Sequence, residues 1–162
     1  MTIMIRLVNA YSHKEEIREL FGEYTAMLIE GDPKFKEYLE IQNYDKELED
    51  LQYKYGLPYG RLYLVYWDEA LAGCIGLRKI TNDVCEMKRL YVRPAFRKNG
   101  IGDYLVKRII EDAKKIGYSK MRLDTLPFLK GAERLYIRNG FYEIPCYNNS
   151  PMDNSIYMQL DL

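Results

Sequence analysis

No apolar run in this sequence is long enough to cross a bilayer. Leu62 to Trp67, among the longest, falls far short of the roughly 20 residues that a spanning helix needs. The opening, MTIMIRLVNAYSHKEE, lacks a basic start, a long apolar centre and a small-residue cleavage site, so export is not expected and a cytoplasmic location is. Histidine is reduced to His13, and the three cysteines (Cys74, Cys85 and Cys146) are odd in number, widely spaced and without a CxxC pair. That pattern predicts reduced thiols and no bound metal. An excess of either charge is missing too: 24 Lys plus Arg balance 24 Asp plus Glu. No global field then draws the protein to nucleic acid or an anionic membrane, and an anion site has to be local. Internal repeats, low-complexity stretches and linkers are also lacking, so residues 1–162 read as a single domain, a size that buries roughly two thirds of the surface of its unfolded chain.

What is present alternates between two rhythms. Residues 3–8 read as a strand, and Ser12 with Glu15 forms a capping box before an amphipathic helix to about Ile29. Gly31-Asp32-Pro33 breaks that helix, and the tyrosine-bearing stretch 34–56 reads as one or two short helices. Segments 61–67, 71–80 and 84–92, joined by short polar connectors, predict an antiparallel meander. Ile101, Leu105, Ile109, Ala113 and Ile116 then keep helical spacing up to Gly117. Strand 121–125, a helix over 127–139 and strands near 141–144 and 155–161 complete the chain. Strand, loop, helix and strand over 84–125 make a right-handed crossover, so those two strands lie parallel in an otherwise antiparallel sheet. The expected fold is α/β of the α+β type: a mixed, mostly antiparallel central sheet with helices on both faces.

The stretch RPAFRKNGIGDYL, 93–105, places two glycines and two basic residues at the mouth of a helix. Glycine lets backbone approach a ligand closely, and the first amides of a helix point outward without partners. A phosphate there gains those N–H groups and the helix dipole, and Arg97 and Lys98 add local charge. A flexible loop with solvated cations explains Gly-x-Gly alone at least as well. Dinucleotide binding, with Asp124 as ribose acid, fits poorly, because Leu105 occupies the third glycine position and the preceding strand belongs to a meander. A Walker A loop is absent.

CEMKRLYVRPAFRKNGIGDYLV, 85–106, resembles the GNAT superfamily of acyl-CoA-dependent N-acetyltransferases. Arg97-Lys98-Asn99-Gly100-Ile101-Gly102 fits its Arg/Gln-x-x-Gly-x-Gly/Ala signature, and Leu135-Tyr136 before Asn139-Gly140-Phe141 looks like its Leu-Tyr…Gly-Phe element. Element order agrees over essentially the whole chain, while motif similarity is confined to about 61–144. The resemblance implies acetyl-CoA as acyl donor, without metal, its pyrophosphate on the amides of 97–102 and its pantetheine arm along the backbone of Leu90, Tyr91 and Val92. The Leu90 amide would be the oxyanion donor.

Glu86 stands eleven residues before Arg97, the spacing of the general base in histone-type members. A half-exposed strand carboxylate paired with Lys88 is an equal reading of the residue alone. The resemblance implies that Glu86 is the base, working through water, and Glu86 and Asp124 are the nearest candidates to accept the amine's proton. Tyr136 matches the tyrosine that protonates the departing thiolate, although among 16 tyrosines a helical one is usually packing. Two positions depart from the family: Lys98 follows the signature arginine where glycine is common, and Leu129 stands where an asparagine often contacts the pantetheine arm.

RLDTLP (122–127) and PCYNNSPMDN (145–154) look like one bacterial subset of the family, and the second, turn-rich loop, with Asn148, reads as substrate-facing. Lys88, on one strand face with Glu86, can bind a substrate carboxylate and Asp124 an ammonium; surface salt bridges explain both equally well. The expected reaction is direct acetyl transfer from acetyl-CoA to a primary amine of a small molecule. A protein or peptide acceptor, or a non-catalytic acyl-CoA-binding module, are the alternatives. The family often forms homodimers, though nothing in the sequence identifies an interface.

Overall fold

A computed structural model describes residues 2–162. Its elements follow in the order β1 (Ile5–Asn9), α1 (Lys14–Gly31), α2 (Phe35–Ile41), α3 (Tyr44–Glu49), α4 (Leu51–Tyr55), β2 (Arg61–Trp67), β3 (Ala70–Lys79), β4 (Val84–Val92), α5 (Ile101–Ile116), β5 (Lys120–Thr125), α6 (Lys130–Arg138), β6 (Tyr142–Ile144) and β7 (Ile156–Asp161). A short 3-10 turn, Pro94–Phe96, joins β4 to the glycine loop. The seven strands form one sheet in the order β1-β2-β3-β4-β5-β7-β6, parallel only between β4 and β5. The mixed sheet and its single parallel crossover agree with the expectation from sequence.

Alternation along β2 sends Leu62 and Leu64 to one face and Tyr63 and Val65 to the other, so both sheet faces are covered. Ile17, Leu20 and Phe21 of α1, with Leu51 and Tyr55 of α4, bury the first face. On the second, Ile101, Leu105, Val106, Ile109 and Ala113 of α5 pack over Ile75, Leu77, Cys85 and Met121. A third cluster, with Leu28, Phe35, Tyr38, Leu39, Leu126 and Met152, joins the end of α1 and α2 to the segment after β5.

Three local readings need correction. The Ser12–Glu15 box does not form: a turn closed by His13 N–H on Ala10 O (2.9 Å) delays the helix, whose first residue is Lys14. His13 is the cap, its ring reaching Glu16 (3.0 Å) instead of the backbone. Stretch 34–56 holds three helices, because Asn43 adopts φ 58° between α2 and α3, and Asp50 caps α4 by accepting from Gln52 N–H (3.1 Å). The last helix starts at Lys130, since residues 127–129 are used in a turn closed by Leu129 N–H on Leu126 O.

Candidate active site

Strands β4 and β5 pair only over Val84–Glu86 and Lys120–Arg122. Beyond that point β5 stays bonded to β7 as far as Thr125, while β4 bulges away. Its register against β3 moves from Gly76↔Lys88 to Cys74↔Tyr91, so Arg89 and Leu90 share the place opposite Ile75. Arg89 takes φ 61°, a conformation that costs a non-glycine residue about 1–3 kcal/mol. A buried bidentate pair holds it there, Nε to Glu47 Oε2 (2.8 Å) and Nη2 to Glu47 Oε1 (3.0 Å). The bulge thus opens a notch between two parallel strands and leaves the backbone at Leu90 beside it.

Two cavities occupy this notch. The larger, of about 540 Å³, is lined by Leu90, Tyr91 and Val92 of β4, by Arg97, Lys98, Gly100, Ile101 and Gly102, and by Tyr136 of α6. The smaller, with about 30 Å³ free, lies between Lys88 on β4, Asp124 on β5 and the tyrosine-bearing ends of α1 and α2. They adjoin at Tyr24, Leu90, Leu129 and Tyr136, which line both.

At the mouth of α5 no side chain caps the helix, and Lys98 (φ 66°) and Gly100 (φ 78°) turn the preceding backbone through the left-handed region. Gly102 has a different task, because a Cβ there would lie 3.1 Å from Leu135 Cδ2, so its absence lets α6 close against α5. Arg97 folds back, its Nε donating to Val92 O (2.9 Å), and Asn99 donates to Phe96 O (3.0 Å) and so braces the loop rather than lining the cavity. Lys130, Arg134 and Arg138 bring the cations around the larger cavity to five in a chain of zero net charge. A cradle of uncapped amides, open space at Gly100 and clustered cations fits the phosphates of a coenzyme.

The model of the acetyltransferase (GNAT) family matches residues 16–141. The chain belongs to the GNAT family of N-acetyltransferases. An uncharacterized N-acetyltransferase of Schizosaccharomyces pombe is 44% identical over 127 residues, covering 76% of this chain and 77% of the relative. The crystal structure of an acetyltransferase from Streptococcus agalactiae matches 99% of this chain and 98% of its own with a TM-score of 0.76 at 20% identity, a likeness of fold. A GNAT acetyltransferase from Elizabethkingia anophelis, solved with acetyl-CoA bound, covers 64% of this chain and 76% of its own at TM-score 0.55 and 26% identity.

Within this GNAT acetyltransferase, Tyr136 is buried against Phe141 (5.8 Å between ring centroids). Burial, with Tyr24 and Asp124 nearby, raises its pKa well above the ordinary phenol value, so the phenol stays protonated at neutral pH. Burial likewise pushes Tyr24 up to about 12.

Glu86 is buried, not half-exposed, and its closest cation is Arg78 (Nε to Oε1, 2.6 Å), with Lys88 at 3.7 Å and the Tyr147 hydroxyl on Oε2. Burial alone would raise its pKa. Lys88, Arg78 and the hydrogen bonds from Tyr147 and Arg78 together outweigh it and hold the carboxyl at about 2. Lys88 shares the face of Glu86, as alternation predicts, and burial lowers its pKa against the pull of Glu86. Asp124 Oδ2 accepts from the Tyr38 hydroxyl and from Asn148 Nδ2 (2.9 Å), and nothing among the described residues donates to Oδ1. Glu86 and Asn148 line neither cavity; each buttresses a residue that does. Among the described residues no group of His, Cys, Asp and Glu could hold a metal, and no helix is long and apolar enough to cross a membrane.

The sequence reading missed Tyr24, Tyr38, Gln42, Glu47, Arg78, Arg89, Tyr147 and the α6 cations. Lys130, Arg134 and Arg138 stand four apart, a stripe on one helix face that was there to be read. The others carry no local signal, since Gln42 meets Lys88 across 46 positions and Asn148 meets Tyr38 across 110.

Proposed function

We propose that this acetyltransferase moves an acetyl group from acetyl-CoA to the amine of a small acceptor by direct attack in a ternary complex. The observation that carries this reading is the meeting of the two cavities at Leu90 and Tyr136. One has the cations and free backbone suited to a long phosphorylated thioester; the other is small and polar, a shape that favours a metabolite over a peptide. Acetyl-CoA supplies the activated acyl group. Arg97, Lys98, Gly100, Ile101, Gly102 and the α6 cations hold its phosphates, and the backbone of Leu90, Tyr91 and Val92 guides the arm. Holding two reactants in line supplies about 7–11 kcal/mol, whereas one positioned acid or base adds about 10²–10⁴-fold, so positioning dominates.

Within that frame the Leu90 N–H steadies the charge that gathers on the carbonyl oxygen. Tyr136, kept protonated by burial, gives its proton to the departing sulfur. For the acceptor's proton the surroundings favour Asp124, which lines the pocket and keeps one oxygen without a hydrogen-bond donor, over Glu86, whose lone pairs are engaged and whose basicity is very low. Glu86 then serves to hold Lys88, Arg78 and Tyr147 in place.

The test is release of CoA thiol from acetyl-CoA across amino acids, polyamines, aminoglycosides and short peptides, with Tyr136→Phe as control and a blank for exposed Cys146. Turnover on one amine class, reduced in the variant, supports the proposal. Tight acetyl-CoA binding without turnover on any acceptor favours a coenzyme-binding module instead.

A further inference from the structure

The small cavity contains a cation and an anion that are not paired with each other. On the β4 wall, Lys88 has 8% of its side chain exposed, and its closest contact is a neutral amide oxygen, Gln42 Oε1, at 2.8 Å. That same oxygen also accepts from Arg89 Nη2 (2.8 Å), so it is shared between two cations. Arg89 is neutralised by Glu47, and Glu86 is drawn to Arg78 more closely than to Lys88. Lys88 therefore holds its nearest carboxylate, Glu86, at a longer distance (3.7 Å) than Arg78, Arg89 or Lys54 hold theirs. On the facing β5 wall, Asp124 receives only a hydroxyl and an amide, both on Oδ2, and no lysine or arginine comes within 4.0 Å of it among the described residues. Burial disfavours a charge left in this state at Lys88, and a ligand that carries the opposite pair gives both Lys88 and Asp124 a partner.

We propose that the acceptor is a small free amino acid, its carboxylate on Lys88 and Gln42's neighbourhood, its ammonium on Asp124 Oδ1, with the amine directed toward Tyr136. The inference rests on the acetyl-transfer reading above and narrows it. A peptide N-terminus or a protein lysine lacks the adjacent free carboxylate, and a polyamine places a second cation against Lys88. The remaining wall, with Leu28, Phe35 and Leu126, offers an apolar surface to an uncharged side chain, and about 30 Å³ of free volume limits its size. The step balances: the ammonium loses a proton to Asp124, its nitrogen forms a bond to the thioester carbon and the carbon–sulfur bond breaks. Sulfur takes a proton from Tyr136, the second proton lost by the acylated nitrogen restores the Tyr136 phenol, and the products are an N-acetyl amino acid and CoA thiol, with the proton on Asp124 returned to solvent.

The experiment compares kcat/KM for matched acceptors: an amino acid such as alanine or valine, its α-amide, the amine that lacks the carboxylate, and a dipeptide beginning with that residue, with acetyl-CoA binding measured separately by calorimetry. A charge-assisted contact to Lys88 predicts a preference for the free acid of about 10–100-fold over each of the others. Lys88→Met should bring the acid and its amide to within about threefold of each other by lowering the acid alone. Equal use of amide and acid, or better use of the dipeptide or amine, overturns the inference while leaving acetyl transfer intact. So does failure of every amino acid when acetyl-CoA is bound. Failure to bind acetyl-CoA removes the underlying reading instead. Because the preference is measured on the unmodified protein, a poorly folded Lys88→Met leaves the test in force.

Discussion

The two cavities that meet at Tyr136 are built from different kinds of sequence. The larger is made of contiguous stretches: Leu90–Val92, the loop 97–102, and one face of α6. Its binding groups are largely backbone amides and exposed cations, so it depends on local chain conformation and on glycines at two places. The smaller is made of single side chains from α1, α2, β4 and β5, braced by the 145–157 segment and held by a buried network that runs through Glu47, Arg89, Gln42, Lys88, Glu86, Arg78 and Tyr147. A shared coenzyme asks only for the first kind of construction. On the reading proposed above, the acceptor is met by the second, whose side chains come from separate segments.

The comparison breaks most sharply at Asp124. Asp124→Asn should lower kcat by about 10²–10⁴-fold, the range for a lost proton acceptor, with the acetyl-CoA dissociation constant unchanged by calorimetry. A parallel loss of coenzyme affinity would show that the two cavities are not separable. Next comes Glu47→Ala, which leaves Arg89 buried without a partner and releases the bulge at Leu90. Urea unfolding should show a loss of about 3–5 kcal/mol, the cost of breaking a buried pair from one side. On the coenzyme side a single cation matters far less: Arg134→Ala should weaken acetyl-CoA binding by about 2–5-fold, more at low salt than at high, and leave the acceptor KM alone.

Acid titration sharpens the same contrast. Glu86 is held at about 2, below its ordinary carboxylate value, and Glu47 is lowered by Arg89 against the opposing effect of burial. A depressed carboxylate contributes stability that is complete above its unfolded pKa and is lost as pH falls toward the folded one. Urea midpoints should therefore hold steady from pH 7 to about pH 5 and fall as the pH drops from about 4.5 toward 2, with a shallower fall in Glu86→Gln. An unchanged slope in that variant would mean that Glu86 is not part of the charged network.

Helix α5 and the glycine loop were legible because their signals are local: a period of apolar residues, Gly117 as stop, and Gly100 where φ is positive. The role of Gly102 was not, since the atom that would crowd a side chain there belongs to Leu135, on another helix. Glu86 shows the limit in one residue. Its spacing from Arg97 marked it as functional, yet whether it can take a proton depends on Arg78, Lys88 and Tyr147, which come from three separate segments.

Strand and helix order, the single parallel crossover, the glycine loop before α5 and membership of the acetyltransferase family follow from periodicity and short motifs, which act over a few residues and survive being read in one dimension. Burial and pairing do not. Where β4 leaves β5, which carboxylate is spent in ion pairs and which keeps a free oxygen, and that Lys88 and Asp124 line one cavity were decided only when distant segments came together. Charge in a protein interior is governed by the nearest partners, and several of these, Glu47 for Arg89 and Gln42 for Lys88, are distant in sequence.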